Sequence, residues 1–225
     1  MSNVGDASAR GDVREIRLLI VDDHEVLSSS LAMVLDAEPD ISVIGRAPTL
    51  SQARRLVTSA HPDVILLDHR LPDGDGVSAI RELRGLHPSA QVVVLTASVG
   101  DHVLMEAVEA GAAGFLSKSG GLNDLTSAVR AAAVGESVIA PDMLIRLLRR
   151  FQSGEEPSRT PLTEREQEVL SLVSEGLSNA AIAQRMVVSV HTVRNHIASL
   201  SAKLGAHSKL EALSIAVRQG LLRDL

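Results

Sequence analysis

Five apolar runs constrain the fold of this chain more than any other feature: IRLLIV (16–21), ISVIGRA (41–47), DVILLD (63–68), QVVVLT (91–96) and GFL (114–116). Each is continuous rather than alternating, so the strand it forms must be covered on both faces, as in a parallel sheet. Stretches of helical period lie between them. Leu27, Leu31, Val34 and Leu35 form one stripe, Val77, Ile80 and Leu83 a second, and Val103, Ala107 and Val108 a third. Leu122, Leu125 and Val129 open the fifth helix. Five strands alternating with five helices in about 120 residues predict a doubly wound α/β domain with a five-stranded parallel sheet.

The pattern then changes. After a helix ending near Phe151, QSGEEPSRTP (152–161) is polar, rich in turn formers and without apolar period, which marks a linker. Beyond it every apolar pattern is helical, in four short segments near 163–175, 179–186, 190–204 and 208–219. The expected organisation is a disordered lead-in (1–14), an α/β domain (15–137), a helix and linker (138–161) and a small all-α domain (162–225). The last unit, about 65 residues, is marginal as a core of its own. Its final helix is apolar on more than one face, so one face serves the core and Leu210, Leu213 and Val217 are candidates for a partner subunit. No apolar run approaches the roughly 20 residues that span a bilayer. Cysteine is absent, which excludes disulfides, thiolate metal sites and a Cys nucleophile.

Charge divides along the same boundary. Residues 1–140 carry 11 Lys/Arg against 19 Asp/Glu, and residues 141–225 carry 11 against 9. Between Gly176 and Leu210 there are four Lys/Arg, three His and no acid. A basic segment is usually a solvated face, but here the sign changes together with the fold pattern, which points to a polyanion-binding module.

In an open parallel sheet, chemistry gathers outside the C-terminal ends of the strands. Asp22 and Asp23 end the first run, Asp68 the third and Thr96 the fourth, and Lys118 follows the fifth. A lone Asp after a strand is most often a turn or cap residue. One at the end of each of several neighbouring strands is much less expected by chance. Three carboxylates at one edge require a cation, and hard oxygen donors in that number suit Mg²⁺, with Mn²⁺ as the alternative. Thr96 and Lys118 then supply a donor and a point charge for phosphoryl oxygens, and a carboxylate so held can be a phosphoryl-accepting nucleophile. Two rival readings of the loop LPDGDG (71–76) fail on spacing. The glycines of G-x-G-x-x-A (74–79) begin six residues after the strand-terminal Asp68, beside acids that repel a pyrophosphate. A calcium loop from Asp73 would need oxygen ligands where Val77 and Arg84 stand.

In the helical domain, Thr163 with Glu166 forms a capping box that opens the first helix, and Gly176 closes it. Ser178 or Asn179 caps the second helix, with Ile182, Ala183 and Met186 inward. Ser189 caps a third helix whose inner stripe is Val193, Ile197, Leu200 and Leu204 and whose outer face presents His191, Arg194, Asn195 and Ala198. Two helices joined by a short turn, the second bearing Arg and Asn toward its N-terminal half, form a helix-turn-helix. Arg reads guanine and Asn adenine through paired hydrogen bonds.

The ordered set Asp22-Asp23, Asp68, Thr96 and Lys118, with LPDGDG (71–76) and GAAGFLSK (111–118), resembles the receiver domain of bacterial two-component response regulators, a flavodoxin-like fold. LTEREQEVL, GLSN and TVRNHI resemble the LuxR-type helix-turn-helix domain, so the whole chain is similar to the NarL/FixJ family of transcriptional regulators. That resemblance implies that Asp68 accepts phosphate from a sensor histidine kinase. It assigns Mg²⁺ to Asp23, Asp68 and the backbone carbonyl of Arg70, with Asp22 assisting through water. Thr96 and Phe115 become the switch pair. Thr192 and Lys203 touch DNA phosphates, and Arg194 and Asn195 enter the major groove. It further implies a cytoplasmic bacterial protein that binds promoter DNA as a homodimer when active, with no membrane and no external substrate. His69, Arg70 and Ser98 depart from commoner family choices beside the phosphate, and Ala180 stands where the family is often basic. Two other classes stay open on sequence: a Mg²⁺-dependent phosphohydrolase using Asp68, which should carry a cap insertion, and a regulator that recognises DNA without phosphate.

Overall fold

The computed structural model describes residues 15–96, 100–118, 120–151 and 162–222. The lead-in, the linker 152–161 and Ser98 lie outside them. The five apolar runs become β1 (Ile16–Val21), β2 (Ile41–Ala47), β3 (Val64–Asp68), β6 (Gln91–Thr96) and β7 (Gly114–Ser117), and every pairing among them is parallel. Their order is β2-β1-β3-β6-β7, which places the topological switch point between β1 and β3. The helices of this domain are α1 (Glu25–Asp36), α2 (Leu50–Ala60), α3 (Gly76–Leu86), α4 (Asp101–Glu109) and α5 (Leu122–Ala133). α2, α3 and α4 cover one face of the sheet and α1 and α5 the other, so the strands are buried on both sides as their continuous apolar character requires.

A two-residue antiparallel ribbon, β4 (Arg70–Leu71) with β5 (Gly74–Asp75), interrupts the path from β3 to α3 and is not visible in the sequence pattern. Gly76 closes it. Its N–H donates to the His69 carbonyl at 2.9 Å, and a Cβ there would meet the Asp68 carbonyl oxygen at 2.1 Å. Gly114 is needed for a similar reason, because a Cβ would lie 2.1 Å from the Val138 carbonyl, which accepts from the Phe115 N–H at the sheet edge.

The helical part comprises α6 (Pro141–Phe151), α7 (Glu164–Ser174), α8 (Asn179–Met186), α9 (Val190–Leu204) and α10 (Lys209–Arg218). The Thr163/Glu166 capping box forms, and Ser178, Ser189 and Ser208 cap α8, α9 and α10. Val193, Ile197, Leu200 and Leu204 are buried, as the inner stripe demands. The core of the α2–α4 side of the sheet continues through Leu147 and Phe151 of α6 into this unit.

Candidate functional site

Parallel register decides what the sheet edge brings together. Val21 lies beside Leu67, Asp68 beside Leu95 and Thr96 beside Ser117, so Asp22, Asp68, Thr96 and Lys118 emerge from neighbouring strands at one edge. Asp22 and Asp68 are 2 % and 3 % exposed, and carboxylates buried so deeply require a charge partner. Lys118 supplies it. Its Nζ lies 2.7 Å from Asp22 Oδ2 and donates to Asp68 Oδ2 at 2.6 Å. Burial works against the ammonium, but hydrogen bonds to Asp22 and Asp68 outweigh it and hold Lys118 above the ordinary lysine range.

Ligand atoms of Asp22, Asp23, His24 and Asp68 lie within 4.8 Å of one another. The three carboxylates are hard oxygen donors that fit a divalent cation of the Mg²⁺ type. His24 is a neighbour the sequence reading missed; its only signal was adjacency in VDDH. Its Nδ1 lies 3.1 Å from Asp22 Oδ1 and 3.0 Å from Asp23 Oδ1. Thr96 is buried at the edge, and Phe115 turns into the core on the α2–α4 side.

The residues after Asp68 separate into different duties. The Arg70 N–H points at Asp68 Oδ1 from 3.4 Å, and His69 Nδ1 lies 3.6 Å from the same oxygen. Asp73 accepts from the Leu50 and Ser51 N–H groups at 2.8 and 2.9 Å, tying the ribbon to the start of α2. Those backbone donors pull its carboxyl below the usual range. Asp75 caps α3 by accepting from Val77 and Ser78. Neither belongs to the cluster around Asp68.

On α9, His191, Arg194, Asn195 and Ala198 are exposed along one face, and Thr192 is half-buried with its hydroxyl 2.8 Å from that of Ser189. Lys203 is placed differently from the other candidates. Its ammonium donates to buried Glu166 at 2.7 Å, and the Ser199 hydroxyl and the Thr163 N–H donate to the same carboxylate at 2.7 and 2.8 Å. Burial opposes the charge of Glu166, yet the bonds from Lys203, Thr163 and Ser199 prevail and draw it down to about 2. A carboxylate depressed on folding stabilises the fold fully above its unfolded value, and that contribution is lost as pH falls through the folded one. Glu166→Gln is therefore expected to cost about 1–3 kcal/mol at pH 7. In urea titrations the gap to the unsubstituted chain should close as pH falls from about 4.5 toward 2.

α10 shows how one expected partner face is covered within the chain. Leu210, Leu213 and Val217 are 1 %, 1 % and 5 % exposed, because the helix packs against α4 and α6 as well as α7 and α9. The second apolar face is taken by the chain itself, so a dimer through these three residues does not fit this arrangement. The contact is also polar. Arg84 of α3, itself buried, donates to the carbonyls of Ala90, Gly111 and Pro88 and, at 2.5 Å, to that of His207 in the helical unit. The Ser208 hydroxyl donates to the Ala112 carbonyl at 2.9 Å while its oxygen caps α10. Arg218 pairs with Glu109 and lies over the Phe151 ring at 5.4 Å. Arg194, Ala198 and Ser201 of α9 line one cleft with Gln91, Val134 and Gly135 of the α/β domain.

Comparison with known proteins follows the same two-part division. The family described as response regulator receiver domain matches residues 18–130, and that described as bacterial regulatory proteins, luxR family, matches residues 160–216. The DNA-binding transcriptional activator DevR/DosR of Mycobacterium tuberculosis is 36 % identical over 204 residues, covering 89 % of this chain and 94 % of that protein. The transcriptional regulatory protein LiaR of Bacillus subtilis is 34 % identical over 209 residues, covering 92 % and 99 %. A solved structure of the RcsB response regulator of Salmonella typhimurium, described for its conformational dynamism in DNA interaction, superposes with a TM-score of 0.55 at 25 % identity, over 89 % of this chain and 97 % of that one.

Proposed function

Because the chain belongs to the response regulators that join a receiver domain to a luxR-type DNA-binding domain, we propose that it is a transcriptional regulator switched by phosphorylation of Asp68. The observation that carries the reading is the Lys118 ammonium set between Asp22 and Asp68 at 2.7 and 2.6 Å, at the edge where the acidic cluster gathers. An oxygen of Asp68 attacks phosphorus, the phosphorus–nitrogen bond of a kinase phosphohistidine breaks, and the imidazole leaves with a proton. Mg²⁺ or Mn²⁺, held by Asp23, Asp68 and the Arg70 carbonyl with Asp22 assisting through water, would supply charge neutralisation for the phosphoryl oxygens. Lys118 holds one of those oxygens, and the Thr96 hydroxyl donates to another, with Phe115 packed behind. The acyl phosphate then hydrolyses slowly, and the chain acts on no external substrate.

The closed arrangement gives the switch something to act on. With Gln91 and Val134 lining one cleft with Arg194 and Ala198, the receiver borders part of the recognition face of α9, where a duplex would have to approach. Phosphorylation favours a state in which α10 leaves α4 and two chains bind promoter DNA together, Arg194 and Asn195 in the major groove and Thr192 at a phosphate. Lys203 reaches a phosphate only by sharing its charge with Glu166. Among the described residues no helix is long and apolar enough to cross a membrane. A sensor kinase and promoter DNA as partners support the bacterial cytoplasm as its compartment.

The test is duplex binding and molecular mass measured together, with and without acetyl phosphate and Mg²⁺. The expected outcome is a dimer with at least tenfold tighter binding when both are present. Equal affinity and mass in all conditions would remove the switch.

A further inference from the structure

Among the described residues, two that are not glycine hold a left-handed backbone, His61 and Val187. They differ in what the conformation brings. His61 closes α2, and its ring lies 5.2 Å from that of His87. Val187 closes α8 at φ 57° and ψ 46°, in the turn of the helix-turn-helix. A β-branched residue is among the least suited to this region; Asn or Gly adopts it at about 1–2 kcal/mol less. The residue is 90 % exposed, so packing inside the chain returns almost nothing. Its side chain carries no hydrogen-bonding group. Its neighbours do the structural work of the turn: Met186 is buried, Val188 packs against the core and Ser189 caps α9. Folding therefore accounts for the turn but not for a valine at its apex.

Backbone strain that the fold itself does not need is characteristic of functional positions. In a helix-turn-helix the first helix crosses the DNA backbone and the N-terminus of the second enters the major groove, so the turn between them lies at the rim of the groove. An apolar group at that rim has one base-edge partner of its own kind, the C5-methyl of thymine. We propose that Val187 is a specificity-determining residue whose isopropyl group packs on a thymine methyl beside the groove edge. The surrounding surface is consistent with this division of labour. Ala180, where a longer cationic side chain would serve phosphate binding, and Ala198 are exposed, which leaves sequence preference to Arg194, Asn195 and an apolar contact.

This inference rests on the DNA-binding reading above, and the experiment separates the two. A duplex is selected from a random library by the full chain with acetyl phosphate and Mg²⁺, and each thymine is then replaced by deoxyuridine, which lacks the C5-methyl. The unsubstituted chain should lose about fourfold in affinity at one thymine per half-site, the worth of one buried methyl. Val187→Asn should melt about 4 °C higher, bind the selected duplex about fivefold more weakly, and ignore the thymine-to-uracil change. Val187→Ala, which keeps the backbone strain, should lose the same thymine sensitivity without the gain in melting temperature. Thymine sensitivity of equal size in the unsubstituted chain and in both variants would overturn the proposal, as would undiminished affinity in Val187→Asn. If no duplex is selected at all, the DNA-binding reading itself fails, and this inference with it.

Discussion

Asp68→Asn is expected to abolish phosphoryl acceptance: after incubation with acetyl phosphate and Mg²⁺, the variant should carry no hydroxylamine-labile phosphate, whereas the unsubstituted chain carries about one per molecule. An amide oxygen is a poor nucleophile, so no partial activity should survive. Geometry points to Asp68 rather than its neighbours. It ends the central strand β3, flanked by β1 and β6, and it shares the Lys118 ammonium with Asp22. Asp22 also accepts from the His24 N–H at 2.8 Å, a bond that occupies its other oxygen. Asp23 stands at the solvent side of the cluster with a third of its side chain exposed. Asn at position 68 keeps the shape of the site and a partner for Lys118, so the fold should be preserved. Labile phosphate persisting in the variant at the unsubstituted level would move the acceptor to another residue.

The second large effect concerns the contact between the two domains. Arg84→Met is expected to shift the chain toward an open form by about thirtyfold, which corresponds to roughly 2 kcal/mol. Of the four carbonyls that Arg84 serves, three belong to its own domain and the fourth, that of His207, is the link across. Burial lowers the guanidinium's pKa from its usual value, and Glu211 alone counters this by charge, so the group depends on those carbonyls for compensation. Methionine keeps the apolar stem and removes the donors. Ser208→Ala is a milder companion, since it removes the bond to Ala112 together with a helix cap. Small-angle scattering should show a larger radius of gyration for Arg84→Met, and duplex binding without a phosphoryl donor should rise in parallel. An unchanged scattering profile in both variants would mean that α10 is held by its apolar face alone.

These two sites differ in how far the sequence discloses them. The strand-end carboxylates are legible because a parallel sheet converts separate positions in the chain into one edge, and continuous apolar runs announce such a sheet. The ribbon β4–β5 is not legible, since two-residue strands have no period; Gly76 fixes it through a close approach that only coordinates reveal. Arg84 carries no signal at all. It lies in an ordinary helix, and its role depends on a carbonyl 123 residues away. The capping-box role of Glu166 could be read from Thr-x-x-Glu spacing, whereas its capture of Lys203 could not, so the lysine read as a phosphate contact also carries an internal ion pair. Leu210, Leu213 and Val217 show a third kind of gap. Hydrophobicity is non-directional, so their pattern states that they must be covered but not by what.

That covering carries a kinetic consequence. The face of α10 now against α4 and α6 can be covered by its own chain or by a second one, not by both at once. Closure within the chain is first order, and pairing between chains is second order. On the reading proposed for the switch, the balance between them depends on how many copies a cell holds as well as on phosphate. A sparse population would stay closed under a stimulus that drives an abundant one onto DNA, so copy number becomes an input to the switch.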